Sequence, residues 1–129
     1  TTRSRYGTRL MLDLALHDSQ GPVCISDVAE RQNISVKYLE KIIHLLKGHG
    51  YITSKRGPRG GHVLAIPPEK ISIGEIVRVM AGRRALTRCV ETGKTCDRKV
   101  KCKMHGVWEG ASKAMMDHLD SVSLFDLMD

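Results

Sequence analysis

The sequence predicts a mainly α protein: a winged helix-turn-helix domain with a two-stranded β wing and a long C-terminal dimerisation helix. Three observations lead there. Residues 36–47 (VKYLEKIIHLLK) form the clearest amphipathic helix in the chain, stopped by Gly48 and Gly50. Directly after it, two short strand-like runs flank a turn that holds three glycines, one proline and three cations. Finally, 41% of the residues are hydrophobic but only 4% are aromatic, so Leu, Ile, Val, Met and Ala must build the core. That composition favours helices over a β-sandwich.

Taken in order, residues 5–18 place Tyr6, Leu10, Leu14 and Ala15 on one helical face, with Arg9 and Asp13 off it. Gly21-Pro22 ends this helix. Ser26 is the expected N-cap of a short second helix with Val28 and Ala29 inward, closed by Asn33. Ser35 caps the third helix, whose stripe is Leu39, Ile42, Ile43 and Leu46; Lys37, Tyr38, Lys41, His44 and Lys47 lie on its other faces. Residues 51–54 and 62–66 read as paired strands, and Lys55, Arg56 and Arg59 sit at or near the turn between them. After Pro67-Pro68, Ser72-Ile73-Gly74-Glu75 is a capping box opening a helix with Ile73, Ile76, Val77 and Met80 inward. Two short helices, a third stopped by glycine and a basic hairpin are the parts of a winged helix.

The last helix starts between 103 and 107 and runs to about Leu119. Trp108, Ala111, Met115, Leu119 and Val122 recur every three or four positions, and Ser123 to Leu127 form a short final cap. An apolar stripe on a terminal helix needs a cover, and the same helix of a second subunit is the expected one, giving a homodimer. The alternative cover is its own domain. The domain plan is then a DNA-binding unit at 1–82, a cysteine loop at 83–105, and a dimerisation helix with its cap at 106–129.

The net charge of +7 is unevenly spread. Residues 35–62 carry six Lys/Arg against Glu40 alone, residues 83–103 carry eight against Glu91 and Asp97, and residues 104–129 are net acidic. Basic blocks attract polyanions, and double-stranded DNA is the expected partner. No apolar run approaches the roughly 18 residues of a membrane span, and no signal segment is expected, so the reading is soluble and cytoplasmic. There is no glycine-rich phosphate loop, no pocket-like pair of carboxylates and no nucleophile–base arrangement. An enzyme and a small-molecule substrate are therefore not expected. A protein–protein adaptor using the winged helix without DNA is a further alternative.

Four cysteines occur. Cys24, between Val23 and Ile25, reads as a small buried residue. Cys89, Cys96 and Cys102 cluster, with His105 just beyond, in a segment rich in charge and poor in apolar residues. Such a segment lacks a core of its own and needs another organiser. A disulfide leaves one cysteine over; zinc usually takes ligand pairs at two- to four-residue gaps. An iron–sulfur cluster is held chiefly by thiolates, with histidine able to replace one, and longer gaps can wrap it. Spacing alone leaves cluster, structural zinc and a thiol-based redox loop open.

One register of motifs narrows this. RYGTRLMLDLAL at 5–16, ISVKYLEKIIHLLKGHGYITSKRGPRGG at 34–61, ISIGEIV at 71–77, RC at 88–89, CKMHGVW at 102–108 and SLFDL at 123–127 span nearly the whole chain. In these the chain resembles the Rrf2 family of winged-helix regulators, most closely its iron–sulfur cluster branch. The resemblance implies a homodimer and a two-iron, two-sulfur cluster on Cys89, Cys96, Cys102 and His105. The family's nitric-oxide-sensing branch uses an acidic ligand on the first helix; Arg5 stands at that position and cannot ligate a metal. The first cysteine gap is one residue longer than the family's usual five.

By position on the third helix, Ser35, Lys37, Tyr38, Glu40 and Lys41 would face DNA. A hydroxyl or amide at the helix start suits a phosphate, and Glu40 can accept from a cytosine amino group. The competing role for Glu40 is a surface ion pair with Lys37 or His44. The resemblance implies that Glu40 admits some sites and opposes others according to cluster state. It also implies that Arg56 enters the minor groove; Arg59 stands where the family has glycine, and His62 where it has an aromatic, here expected to face solvent. Loss or oxidation of the cluster would then reorder residues 89–105 and shift the reading heads.

Overall fold

The computed structural model describes residues 1–82 and 102–129. Cys89, Cys96 and most of the expected loop unit lie outside the described residues. Five helices and one hairpin follow the predicted order: α1 (Thr2–Leu16), α2 (Ile25–Gln32), α3 (Val36–Gly48), β1 (Ile52–Lys55), β2 (Gly61–Leu64), α4 (Ile73–Ala81) and α5 (His105–Asp120). Among the described residues, single 3-10 turns lie at Asp18–Gln20, Pro68–Lys70 and Phe125–Leu127.

Local chemistry sets the helix ends. The Ser35 hydroxyl accepts from the Tyr38 amide at 3.2 Å and starts α3. At α4 both bonds of the capping box form: Glu75 N–H to Ser72 Oγ at 3.1 Å, and Ser72 N–H to Glu75 Oε2 at 2.8 Å. Asn33 ends α2 in the left-handed conformation, a region Asn tolerates better than most residues. For α2 the expected N-cap is corrected. Cys24, not Ser26, holds the cap position, and no side chain caps the helix there.

The core gathers Leu10, Met11 and Leu14 of α1, Val28 of α2, Leu39, Ile42 and Leu46 of α3, Ile52 of β1, Ile76 and Met80 of α4, and Ile71 and Leu124 from the turns. Each such side chain fully withdrawn from water contributes roughly 1.5–3 kcal/mol. Gly7 lets α1 and α4 approach closely, since a Cβ there would lie 2.6 Å from the Met80 side chain. Asp13, expected off the apolar face, is instead buried. It accepts two hydrogen bonds from Arg31, at 3.0 and 2.7 Å, and one from Gln32 at 2.8 Å. The position is inward because a partner on α2 meets it, which helical periodicity does not encode.

The hairpin is antiparallel, in register from Ile52 opposite Leu64 to Lys55 opposite Gly61. Its second strand is braced from behind by Val23, which exchanges backbone bonds with His62 at 2.9 and 2.8 Å. Gly61 permits this approach: a Cβ there would lie 2.5 Å from the Val23 carbonyl oxygen. The wing is thus tied to the turn before α2.

Helix α5 is joined to the domain mainly at its C-terminal end. Ile73 N–H donates to Val122 O at 2.8 Å, Leu124 N–H to Ile71 O at 2.9 Å, and Arg78 pairs with Asp120. Toward its other end, Met104, Val107 and Trp108 are exposed.

Candidate functional site

The amino-terminal half of α3 presents the expected reading residues on one open surface. Lys37, Tyr38, Glu40 and Lys41 line a concavity of about 650 Å³, and Arg3 of α1 and His44 of α3 share it. Arg3 and His44 extend the set read from sequence. Arg3 was missed because it lies 34 residues before Lys37, and only the packing of α1 beside α3 brings them together. Ser35, Lys37, Glu40 and Lys41 are exposed, while Tyr38 is half-buried. The Tyr38 ring stands edge-on to Tyr6, centroids 5.5 Å apart at 88°, and Arg9 lies over Tyr6. This stack orients Tyr38 from below. Glu40 forms no ion pair among the described residues, so its carboxylate is free to meet a donor from outside the chain.

Lys55, Arg56 and Arg59 project from the hairpin and are all exposed. A second hollow between α3 and the hairpin is lined by Ile25, Glu40, Ile43, His44, Lys47 and His62. His62 does not face solvent as expected. It is half-buried, its Nδ1 3.0 Å from Ser54 Oγ. Burial first, and the Lys47 cation second, push its pKa below the usual histidine value. At neutral pH it is an uncharged wedge between wing and α3, and the basic character of the surface belongs to lysine and arginine.

The cysteines divide. Cys24 is exposed rather than buried, because the close approach of Val23 to the wing turns its neighbour outward. Its thiol lies 3.1 Å from Ser26 Oγ, and that hydrogen bond pulls its pKa down. Across a shallow groove stand Pro58 and Arg59 of the wing. Cys102 is half-buried at the head of α5, and its carbonyl accepts from the His105 amide at 3.2 Å. The His105 side chain is only 13% exposed; Nε2 lies 3.2 Å from Glu109 Oε2, while the buried Nδ1 has no hydrogen-bond partner. Among the described residues no three His, Cys, Asp or Glu side chains cluster closely enough to hold a metal. Any site here needs thiolates from outside the described residues, where Cys89 and Cys96 lie. The donor chemistry that is present, one thiol and one buried unpartnered imidazole nitrogen a turn apart, fits a thiolate–histidine metal centre.

The whole chain, residues 1–129, matches the model of the Rrf2 family, described as iron-dependent transcriptional regulators. It is 48% identical over 128 residues to Protein rrf2 of Nitratidesulfovibrio vulgaris, covering 99% of this chain and 85% of that one. Among solved structures it superposes on T. potens IscR with a TM-score of 0.82 at 36% identity, over 99% of this chain and 84% of that one. On CymR, the global cysteine regulator of B. subtilis, the TM-score is 0.84 at 30% identity, over 99% and 94%. No helix among the described residues is long and apolar enough to cross a membrane. The chain belongs to the Rrf2 family: it is a winged-helix, DNA-binding transcriptional regulator, not an enzyme.

Proposed function

We propose that the chain acts as a homodimer on double-stranded DNA, and that its choice of site answers an iron–sulfur cluster held by Cys89, Cys96, Cys102 and His105. The observation that carries the cluster is the buried, unpartnered Nδ1 of His105, one helical turn from Cys102. A two-iron, two-sulfur cluster would make the order of this segment depend on iron supply and oxidants. The chain's own residues supply the rest. Helix α5 begins at His105, three residues after Cys102, and at its other end is tied to α4 by Arg78–Asp120 and the backbone bonds of Val122 and Leu124. Helix α4 packs on α1 through Gly7, and α1 flanks α3. What settles the head of α5 thus has a packed route to the reading surface.

At that surface, Lys37, Lys41, Lys55, Arg56 and Arg59 neutralise phosphates, and Arg56 and Arg59 at the wing tip reach toward a minor groove. Ser35 uses its oxygen on the Tyr38 amide and keeps its hydroxyl proton for a phosphate. Glu40 accepts from a cytosine where one is offered and repels the site where none is.

Protein purified without oxygen should be brown, absorb in the visible, and contain iron and acid-labile sulfide in near-equal amounts. Changing Cys89, Cys96 and Cys102 together to Ala should remove the colour and the response of DNA binding to oxidant. A colourless, zinc-loaded protein, or an undiminished response in the triple variant, overturns the cluster reading.

The exposed Cys24 supports a second reading, with a thiol as the sensor. Its lowered pKa enlarges the thiolate fraction, and it stands beside the wing. On this reading oxidant sensitivity persists in the triple variant and disappears in Cys24→Ser.

A further inference from the structure

We infer that Arg9 is a positioning residue for DNA reading: by gripping Gln32 at the end of α2 and covering Tyr6, it fixes where the Tyr38 ring stands on the α3 surface. The inference rests on the expectation that Tyr38 faces DNA, but the strut it describes is a property of the free chain.

Three contacts in series make the strut. Arg9 Nε donates to Gln32 Oε1 at 3.1 Å, and Arg9 Nη2 donates to the Gln32 backbone carbonyl. The same guanidinium lies 5.6 Å from the centre of the Tyr6 ring. Tyr6 in turn meets Tyr38 edge-on, with centroids 5.5 Å apart and planes at 88°.

The far end of the strut is anchored. Asp13, only 2% exposed, accepts from the Gln32 side-chain amide at 2.8 Å and from Arg31 at 3.0 and 2.7 Å. A carboxylate only accepts, so it takes the Gln32 NH2 and turns the amide oxygen toward Arg9. The backbone carbonyl of Gln32 belongs to the last turn of α2, where helix carbonyls lack intrahelical partners. Two planar donors in a fixed fork meet both oxygens at once, which the point charge of an ammonium does not. The grip therefore sets the plane of the guanidinium as well as its place, and Tyr6 is covered by a cation that is itself held.

At the near end, Tyr38 is half-buried and lines the α3 concavity with Lys37, Glu40 and Lys41. A ring already seated against Tyr6 has given up its rotamer freedom before DNA arrives, so less ordering cost falls on binding. Arg9 is exposed and lies off the apolar face of α1, so periodicity marks it as an ordinary surface cation. A direct phosphate contact is the competing role for such a cation, and the two roles differ in salt dependence.

Both halves of the inference are testable on the full chain kept from oxygen. Proton–carbon spectra of the tyrosine rings, taken without DNA, read the strut; Tyr6→Phe and Tyr38→Phe assign the pair among the three tyrosines. In an edge-on pair, ring protons of one tyrosine lie over the face of the other and resonate upfield. Arg9→Met should move that signal toward the position of free tyrosine; a signal that stays in place overturns the inference. Binding is then measured on a duplex that the wild type selects from a random-sequence pool. Arg9→Met should weaken it roughly three- to fivefold, the order of one exposed cation–ring contact, with the salt slope unchanged. Arg9→Lys keeps the charge without the fork and should lose nearly as much. In a Tyr38→Ala background, Arg9→Met should cost nothing further. A salt slope lower by about one would make Arg9 a phosphate contact and overturn the inference. So would wild-type affinity in Arg9→Lys, or an undiminished loss in the Tyr38→Ala background. A loss in Tyr38→Ala with none in Arg9→Met overturns the inference alone; no loss in either removes Tyr38 from the reading surface as well.

Discussion

A cation that touches a phosphate releases a counterion, so its contribution appears in the slope of affinity against salt. Arg56 and Arg3 make a telling pair at this scale, one at the wing tip and one in the first turn of α1, facing the α3 concavity. Arg56→Ala should weaken binding and reduce the magnitude of the log–log salt slope by about one. Arg3→Ala should do the same, equally on matched and scrambled sequences, because a backbone contact carries no base information. Fluorescence anisotropy with a labelled duplex across a salt series measures both; an unchanged slope in Arg3→Ala would remove α1 from the footprint. Residues whose roles are local could be read without the fold. Ser35, Asn33 and the Ser72–Glu75 box act within three or four positions of themselves. Cys24, His62 and Asp13 could not, since each owes its exposure to a segment distant in sequence: the wing for Cys24, the Val23 turn and α3 for His62, α2 for Asp13.

Elements here are held together by a few specific contacts laid over a generic apolar core. Helices α1 and α2 are joined by Asp13, which Arg31 and Gln32 meet from one side, while Arg9 reaches the backbone and side chain of Gln32. Burial by itself would push the Asp13 carboxyl up. The hydrogen bonds from Arg31 and Gln32 outweigh it and hold the group below the usual aspartate value. A depressed carboxyl contributes stability that is complete above the unfolded pKa and is lost as pH falls through the folded one. Arg31→Met keeps the bulk and withdraws the charge. It should destabilise the protein by about 1.5–3 kcal/mol in urea unfolding at neutral pH and shrink the difference from wild type in acid. A variant as stable as wild type at neutral pH would mean that Gln32 alone satisfies Asp13. Element order and type were legible because apolar periodicity and glycine stops are strong in α3, α4 and the hairpin. The brace from Val23 to the wing was not, since a lone backbone bridge has no side-chain pattern.

At the scale of the whole molecule, the question is what covers the head of α5. The predicted stripe runs along the helix, yet within the chain only Ser112 and Met116 of α5 are buried. Val107 is 55% exposed, Met104 47% and Trp108 38%, all near the end that carries Cys102 and His105. Neighbouring exposed apolar side chains of this size mark an interaction surface, and in the homodimer proposed above a twofold pairing of α5 with its own copy would cover them. Pairing would also place two α3–wing heads on one duplex. Each head then raises the effective concentration of the other, which is how a small interface reaches useful affinity. Val107→Glu should therefore convert the protein to a monomer in sedimentation equilibrium, since a carboxylate at a closing interface is buried without a partner. Its helical circular dichroism should be unchanged, because position 107 faces outward in the single chain. Binding to a two-half-site duplex should fall by a factor on the order of 10² or more, while binding to an isolated half-site should scarcely move. A variant that remains dimeric would show that another surface joins the subunits, and that the exposed end of α5 serves a different contact.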